Sequence, residues 1–122
     1  MTGNAIDFDL VRQILTAVEI FPFEDEPRDI TIDGHTAEEI SDHVGYAFDA
    51  DLVGASYLKQ PGYIHWKPHY LTDGGYNFLN AASQEHLWES AKEFTNRIPG
   101  KATLRKFQDC LELVSIDQLA FQ

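Results

Sequence analysis

A helix that runs almost without a break into a β-hairpin leaves a chain few folds to choose from, and residues 36–70 encode such a unit. Thr36 followed by Glu39 fits a capping box, in which hydroxyl and carboxylate satisfy each other's exposed amides. The helix it opens extends through about Ala50, with Ile40, Val44, Ala47 and Phe48 as an apolar stripe and Leu52 just beyond. Gly45 weakens it locally. Leu52 to Leu58 and Tyr63 to Tyr70 then read as two strands joined by Lys59-Gln60-Pro61-Gly62, a turn that places Pro and Gly where a hairpin uses them. An isolated hairpin is only marginally stable, so the unit needs other elements against it.

The flanking sequence supplies them. Phe8, Leu10, Val11, Ile14, Leu15, Val18 and Phe21 recur at the spacing of one helix face, with Asp7 as N-cap and Pro22 as stop. Beyond an acidic connector, Phe23 to Pro27, the β-branched run Ile30-Thr31-Ile32 predicts a short strand ended by the turn Asp33-Gly34 and available to pair with the hairpin. Leu71-Thr72-Asp73 opens a helix carrying Tyr76, Phe78 and Leu79. Ser83 is the expected cap of another, with Leu87, Trp88, Ala91 and Phe94 reaching to Pro99-Gly100. A last helix runs from about Thr103 to Leu119 through Leu104, Phe107, Leu111 and Val114, and places the lone Cys110 in its apolar register as a small buried hydrophobe. The order predicts an α+β winged helix-turn-helix with a short strand in place of the middle helix, a two-stranded wing and extra C-terminal helices. At 122 residues the chain is expected to be one domain, residues 1–122, with a core over about 7–82 and a helical extension over about 83–122.

The segments Asp9 to Leu15, Glu38 to Val44 and Leu71 to Ala81, with Trp88 beyond them, resemble the phage and prophage family called domain of unknown function 2513. The similarity covers almost the whole chain and implies a winged-helix fold and an association with mobile elements, but no biochemical activity. Ser41-Asp42-His43-Val44 followed by Ala50-Asp51-Leu52-Val53 also looks like the recognition-helix ending of ArsR-type repressors. That likeness implies that residues 36–50 are the recognition helix. Asp51 stands where those repressors have the glycine of a left-handed turn, a conformation aspartate tolerates. Their metal-sensing cysteines are missing from this sequence.

Charge decides how such a helix could be used. The net charge is −11, and thirteen of the twenty acids but only Arg12 and Arg28 of the nine bases lie in residues 1–51, so that part carries the whole imbalance. A base-reading helix needs Arg, Lys, Asn or Gln with basic neighbours on phosphates, and residues 36–50 offer none. Glu38, Glu39, Asp42 and Asp49, with Glu24, Asp25 and Glu26 of the connector, make instead a candidate acidic surface for a basic, nucleic-acid-binding host protein. The plainer alternative is a solvated surface that confers solubility. On the wing, Lys59, Tyr63, His65 and Lys67 interleave cationic and aromatic groups and are the candidate nucleic-acid contacts, although alternating aromatics on strands are more often a core face.

Other chemistries find little support. His65 and His69 could share a strand face, but no third ligand stands at a recognisable spacing, so no metal is expected. Nucleophile elbows, Cys–His pairs and phosphate-cradling glycine loops are missing, so neither catalysis nor a cofactor is expected. No apolar run is long enough to span a bilayer and the first residues lack a basic signal-peptide region, which predicts a soluble cytoplasmic protein. Two functions remain. One is a non-enzymatic module that binds a protein partner through the acidic surface, imitating DNA charge against a host system. The other is a regulator that touches DNA through its wing. Apolar character from Leu104 to Phe121 adds the expectation of a homodimer seamed by the last helix.

Overall fold

The structure is a computed structural model that describes residues 6–21, 28–100 and 103–120, the side chains of 115–120 excepted. Helix α1 (Phe8–Glu19) starts where the Asp7 carboxylate accepts the Leu10 amide, and it buries Phe8, Leu10, Val11, Ile14, Leu15 and Val18. In α2 (Ala37–Asp49) both halves of the Thr36–Glu39 capping box form, at 2.9 and 3.1 Å. Asp51 then takes the left-handed turn, with φ 62°, that sends the chain into β1 (Val53–Gln60) and β2 (Tyr63–Leu71). The chain is α+β, five helices and a two-stranded antiparallel sheet in an arrangement compatible with a winged helix.

The hairpin turn is tighter than expected. Pro61 and Gly62, the latter at φ +86°, complete the reversal in two residues, so Lys59 and Gln60 join the ladder opposite Ile64 and Tyr63. Residues 30–32 do not form the expected strand, and the sheet stays at two strands. The reason lies on the outer edge of β2. The buried Ser41 hydroxyl donates to the Ile64 carbonyl and accepts the Trp66 amide, at 3.1 and 2.8 Å, so two ladder positions are taken by a side chain. Pro68 has no amide to offer, and its carbonyl accepts a single backbone bond, from Arg28. A third strand would find three of the outward groups of this edge already taken or missing. Ile30 and Ile32 pack as half-buried side chains against the core instead.

Helix α3 (Asp73–Ala81) is capped by Thr72, which also donates to the Asp51 carbonyl. A β-carbon on Gly75 would fall 2.2 Å from the Leu52 carbonyl oxygen, so the glycine pair Gly74-Gly75 lets this helix start against the α2–β1 corner. In α4 (Glu85–Arg97) the N-cap is Gln84 and not Ser83, whose hydroxyl turns back to the Asn80 carbonyl. The buried face of α4 runs through Leu87, Trp88, Ala91 and Thr95. Phe94, expected inside, is 53% exposed, because the fourth core position is filled by Thr95, whose hydroxyl bonds the Ala91 carbonyl.

Helix α5 (Leu104–Ala120) buries Leu104, Phe107, Cys110 and Leu111. Rings of Phe8, Phe78, Trp88 and Phe107 meet there, with Phe8 stacked on Phe107 at 4.3 Å and Trp88 edge-on to it at 4.8 Å. Asp9 accepts the Trp88 indole N–H at 2.7 Å and pairs with Lys92, while the Arg12 guanidinium lies over the Trp88 ring. Partial burial works to raise the Asp9 pKa, but the Trp88 and Lys92 hydrogen bonds and the charges of Lys92 and Arg12 outweigh it and hold the carboxyl below its usual value. One hydrophobic cluster thus runs from α1 to α5, so residues 83–111 share the core of residues 7–82. The stripe from Leu104 to Leu111 finds its cover inside the chain; Leu119 and Phe121, the outer part of the expected dimer seam, lie outside the side chains described.

A candidate interaction groove between helix and wing

Helix α2 lies against β2 through its apolar side. Gly45 makes this possible, since a β-carbon there would stand 2.8 Å from the Trp66 indole nitrogen. His43 is buried: it donates from Nδ1 to the Glu39 carbonyl and accepts the Asp7 amide at Nε2, which ties the start of α1 to α2. Ser41 and His43, on which the expectation of a recognition-helix ending rested, are therefore both engaged in holding the fold. Phe48, expected in the core, is 42% exposed and leans on Trp66 with ring centroids 5.1 Å apart. The core position at that turn is taken by Ala47, which is fully buried.

The outward side of α2 and the hairpin bound a groove of about 380 Å³. Glu38, Asp42 and Asp49, all exposed, form one bank with Tyr46. Tyr63, Ile64 and Trp66 with Gly62 form the other, and no lysine or arginine is among the lining residues. Tyr63 and Ile64 are large apolar groups left open to solvent. Burial, and after it the charge of Asp42, pushes the Tyr46 hydroxyl above its ordinary pKa, as a negative surface does to a neighbouring acid. The chemistry offered is a row of carboxylates facing aromatic and aliphatic surface, suited to cationic groups with apolar stems.

Of the acidic positions expected to act together, Glu38, Asp42 and Asp49 share this groove, but Glu39 does not line it. Its carboxylate accepts the Thr36 amide, the foremost cause of its lowered pKa, and stands 3.7 Å from His35. Glu24, Asp25 and Glu26 lie outside the described residues. Trp66, Ile64 and Tyr46 were missing from the sequence-based site. The signal that could have found Trp66 is Gly45, because a glycine inside an otherwise strong helix marks a close approach.

The candidate nucleic-acid contacts are not brought onto one surface. Residues directly opposite in the ladder share a face, which puts Lys59 with Ile64, Tyr57 and Trp66, and puts Tyr63, His65 and Lys67 on the other side with Leu58. Asp29 then engages both His65 and Lys67 there, at 2.8 Å and 3.6 Å. Those partners, the His65 hydrogen bond first, hold the Asp29 carboxyl below its usual range. His69 sits at the irregularity where β1 advances from Gly54 to Ala55 while β2 passes from Tyr70 to Pro68, and it meets Ser56, so it does not join His65. Tyr63, expected to lie on a core face, is open.

Among the described residues no group of three or more His, Cys, Asp or Glu is placed to hold a metal ion, and no helix is long and apolar enough to cross a membrane. No curated protein and no solved structure matches the chain. A family model does, over residues 5–102, and the chain belongs to that family, described as Hypothetical protein (DUF2513).

Proposed function

We propose that this chain is a non-enzymatic winged-helix module, of phage or prophage type, that binds a basic protein segment in the groove between α2 and the hairpin. The observation that carries the reading is the pairing of Glu38, Asp42 and Asp49 with Tyr63, Ile64 and Trp66 across one groove that no basic side chain lines. In a DNA-binding winged helix the corresponding side of the helix enters the major groove, where these carboxylates would meet phosphate repulsion. A segment rich in Arg or Lys meets the opposite: its charges face the carboxylates while its stems and guanidinium planes lie on the aromatic bank. A nucleic-acid-binding protein of the host is the natural source of such a segment, and the acidic bank would then stand in for DNA in its channel, in the host cytoplasm.

The test uses Trp66, the tryptophan that lines the groove. A labelled Arg- and Lys-rich peptide and a duplex DNA are titrated against the protein at physiological salt, with indole fluorescence and anisotropy read together. Peptide binding that perturbs Trp66, and that falls at least tenfold in Asp42→Lys and Asp49→Lys but not in Asp109→Lys on α5, supports the reading. Peptide binding insensitive to the groove variants overturns it. Sub-micromolar sequence-specific DNA binding overturns it as well, and if Lys59 and Lys67 variants abolish that binding while Glu39→Lys strengthens it, the wing is a DNA contact.

A further inference from the structure

The two edges of the hairpin are treated differently. On the outer edge of β2 the Ile64 carbonyl, the Trp66 amide and the Pro68 carbonyl are bonded to Ser41 and Arg28. Since these residues point outward, Ile64, Trp66 and Pro68 occupy the non-hydrogen-bonded pairs of the ladder, and so do their partners Lys59, Tyr57 and Ala55. The amides and carbonyls of Ala55, Tyr57 and Lys59 therefore point away from β2 along the free edge of β1. Among the described residues nothing pairs with them. The edge is five residues of regular strand, 56–60, without proline or bulge, and it carries Tyr57 and Leu58 at 54% and 55% exposure. Such an edge is a template for another strand.

We infer that this edge pairs with the same edge of a second copy, antiparallel about a two-fold axis through Tyr57, to make one continuous four-stranded sheet. The register is self-complementary. With Tyr57 on the axis, Lys59 falls opposite Ala55 of the other copy, so every outward amide and carbonyl of the three residues is used and no two lysines face each other. On the opposite face Leu58 falls across from Ser56 of the other copy. Shifting the axis to Leu58 would leave Ala55 unpaired, and shifting it to Lys59 would oppose like charges. β1 contributes no lining residue to the acidic groove, so pairing leaves one groove open on each copy, and neither inference needs the other. The seam is distinct from one made by α5, whose stripe is covered within the chain as far as Leu111.

Sedimentation of the full chain from low to hundreds of micromolar is expected to show a monomer–dimer equilibrium. Tyr57→Lys sets like charges on the axis, and Tyr57→Pro removes an outward amide that β2 does not use; each is expected to weaken dimerisation at least tenfold while thermal unfolding shows the fold retained. Cysteine pairing fixes the register: Ser56→Cys and Leu58→Cys chains should form a disulfide with each other when mixed and oxidised, and neither should cross-link with itself, because residues paired across such a non-hydrogen-bonded position stand about 4.5 Å apart at Cα. A folded protein that stays monomeric at hundreds of micromolar overturns the proposal. So does a dimer untouched by both Tyr57 variants, including one lost on deletion of residues 115–122, and so does an edge that pairs only with a strand of another protein.

Discussion

Trp88 and Trp66 show how differently two regions of one small chain use the same residue. Trp88 is completely buried, boxed by Phe78 and Phe107, with its indole N–H on Asp9 and Arg12 over its face. Every feature of the ring is satisfied from within the chain. Trp66 is half-buried between Gly45, Phe48 and Tyr57, and the same hairpin leaves Tyr57, Leu58, Tyr63 and Ile64 open to solvent. The cluster around Trp88 is closed on all sides even though Phe94 and Leu113 of the same helices stay exposed, whereas the helix–wing region keeps its apolar surface beside a row of carboxylates. The first ring is held only by contacts within the core, and the second stands where apolar and acidic surface meet.

The sharpest way to break this contrast is to truncate one aromatic in each region. Phe107→Ala should cost about 3–5 kcal/mol in denaturant unfolding, because it opens a cavity among Phe8, Phe78 and Trp88. Phe48→Ala, at a ring nearly half open, should cost only about 1 kcal/mol. Equal losses would mean that the helix–wing region is packed as tightly as the core. A smaller effect tests the join between α2 and the wing. Ser41→Ala leaves the Trp66 amide and the Ile64 carbonyl without their partner on the edge of β2 and should cost about 1–3 kcal/mol. Faster hydrogen exchange at Trp66 and its neighbours, with the amides of α4 unchanged, would show that the loss is local.

The smallest effects are those of pH. Asp9 in the helical region and Asp29 under the wing both have folded pKa values below the 3.8 of the unfolded chain. A group lowered on folding stabilises fully above its unfolded value, and that stabilisation is lost as pH falls through the folded value. Asp9→Asn and Asp29→Asn are each expected to cost less than about 1 kcal/mol at neutral pH, since both carboxylates are about half or more exposed, and to flatten the decline of stability below about pH 4. An Asn variant that leaves that decline unchanged would show that its carboxylate makes no stabilising contact in solution.

Much of this architecture was legible because its signals are local. Asp7, Thr36 with Glu39, and Thr72 cap the helices within three residues of themselves, and the apolar spacing of α1 and α5 names their buried faces. The strand expected at Ile30–Ile32 failed for a reason outside the segment, in Pro68 and Ser41 on the edge it would have joined. The acidic bank was visible in the charge of residues 36–50. The aromatic bank was not, because Tyr63, Ile64 and Trp66 lie on both faces of one strand and only the twist and tilt of the hairpin decide which of them reach α2.

By itself the sequence determined the helices, the caps of α1 and α2, the hairpin and the concentration of negative charge in the first 51 residues, since each depends on neighbours a few positions apart or on composition alone. Tertiary structure alone decided that Phe48 and Phe94 stay out of the core, that Asp29 occupies both His65 and Lys67, that Lys59 faces away from them, and that one edge of the hairpin is engaged by Ser41 and Arg28 while the other has no partner among the described residues. Those outcomes depend on pairs such as Ser41 and Trp66 or Asp29 and His65, far apart in the chain, and a local pattern carries no record of which distant group arrives to fill a given space.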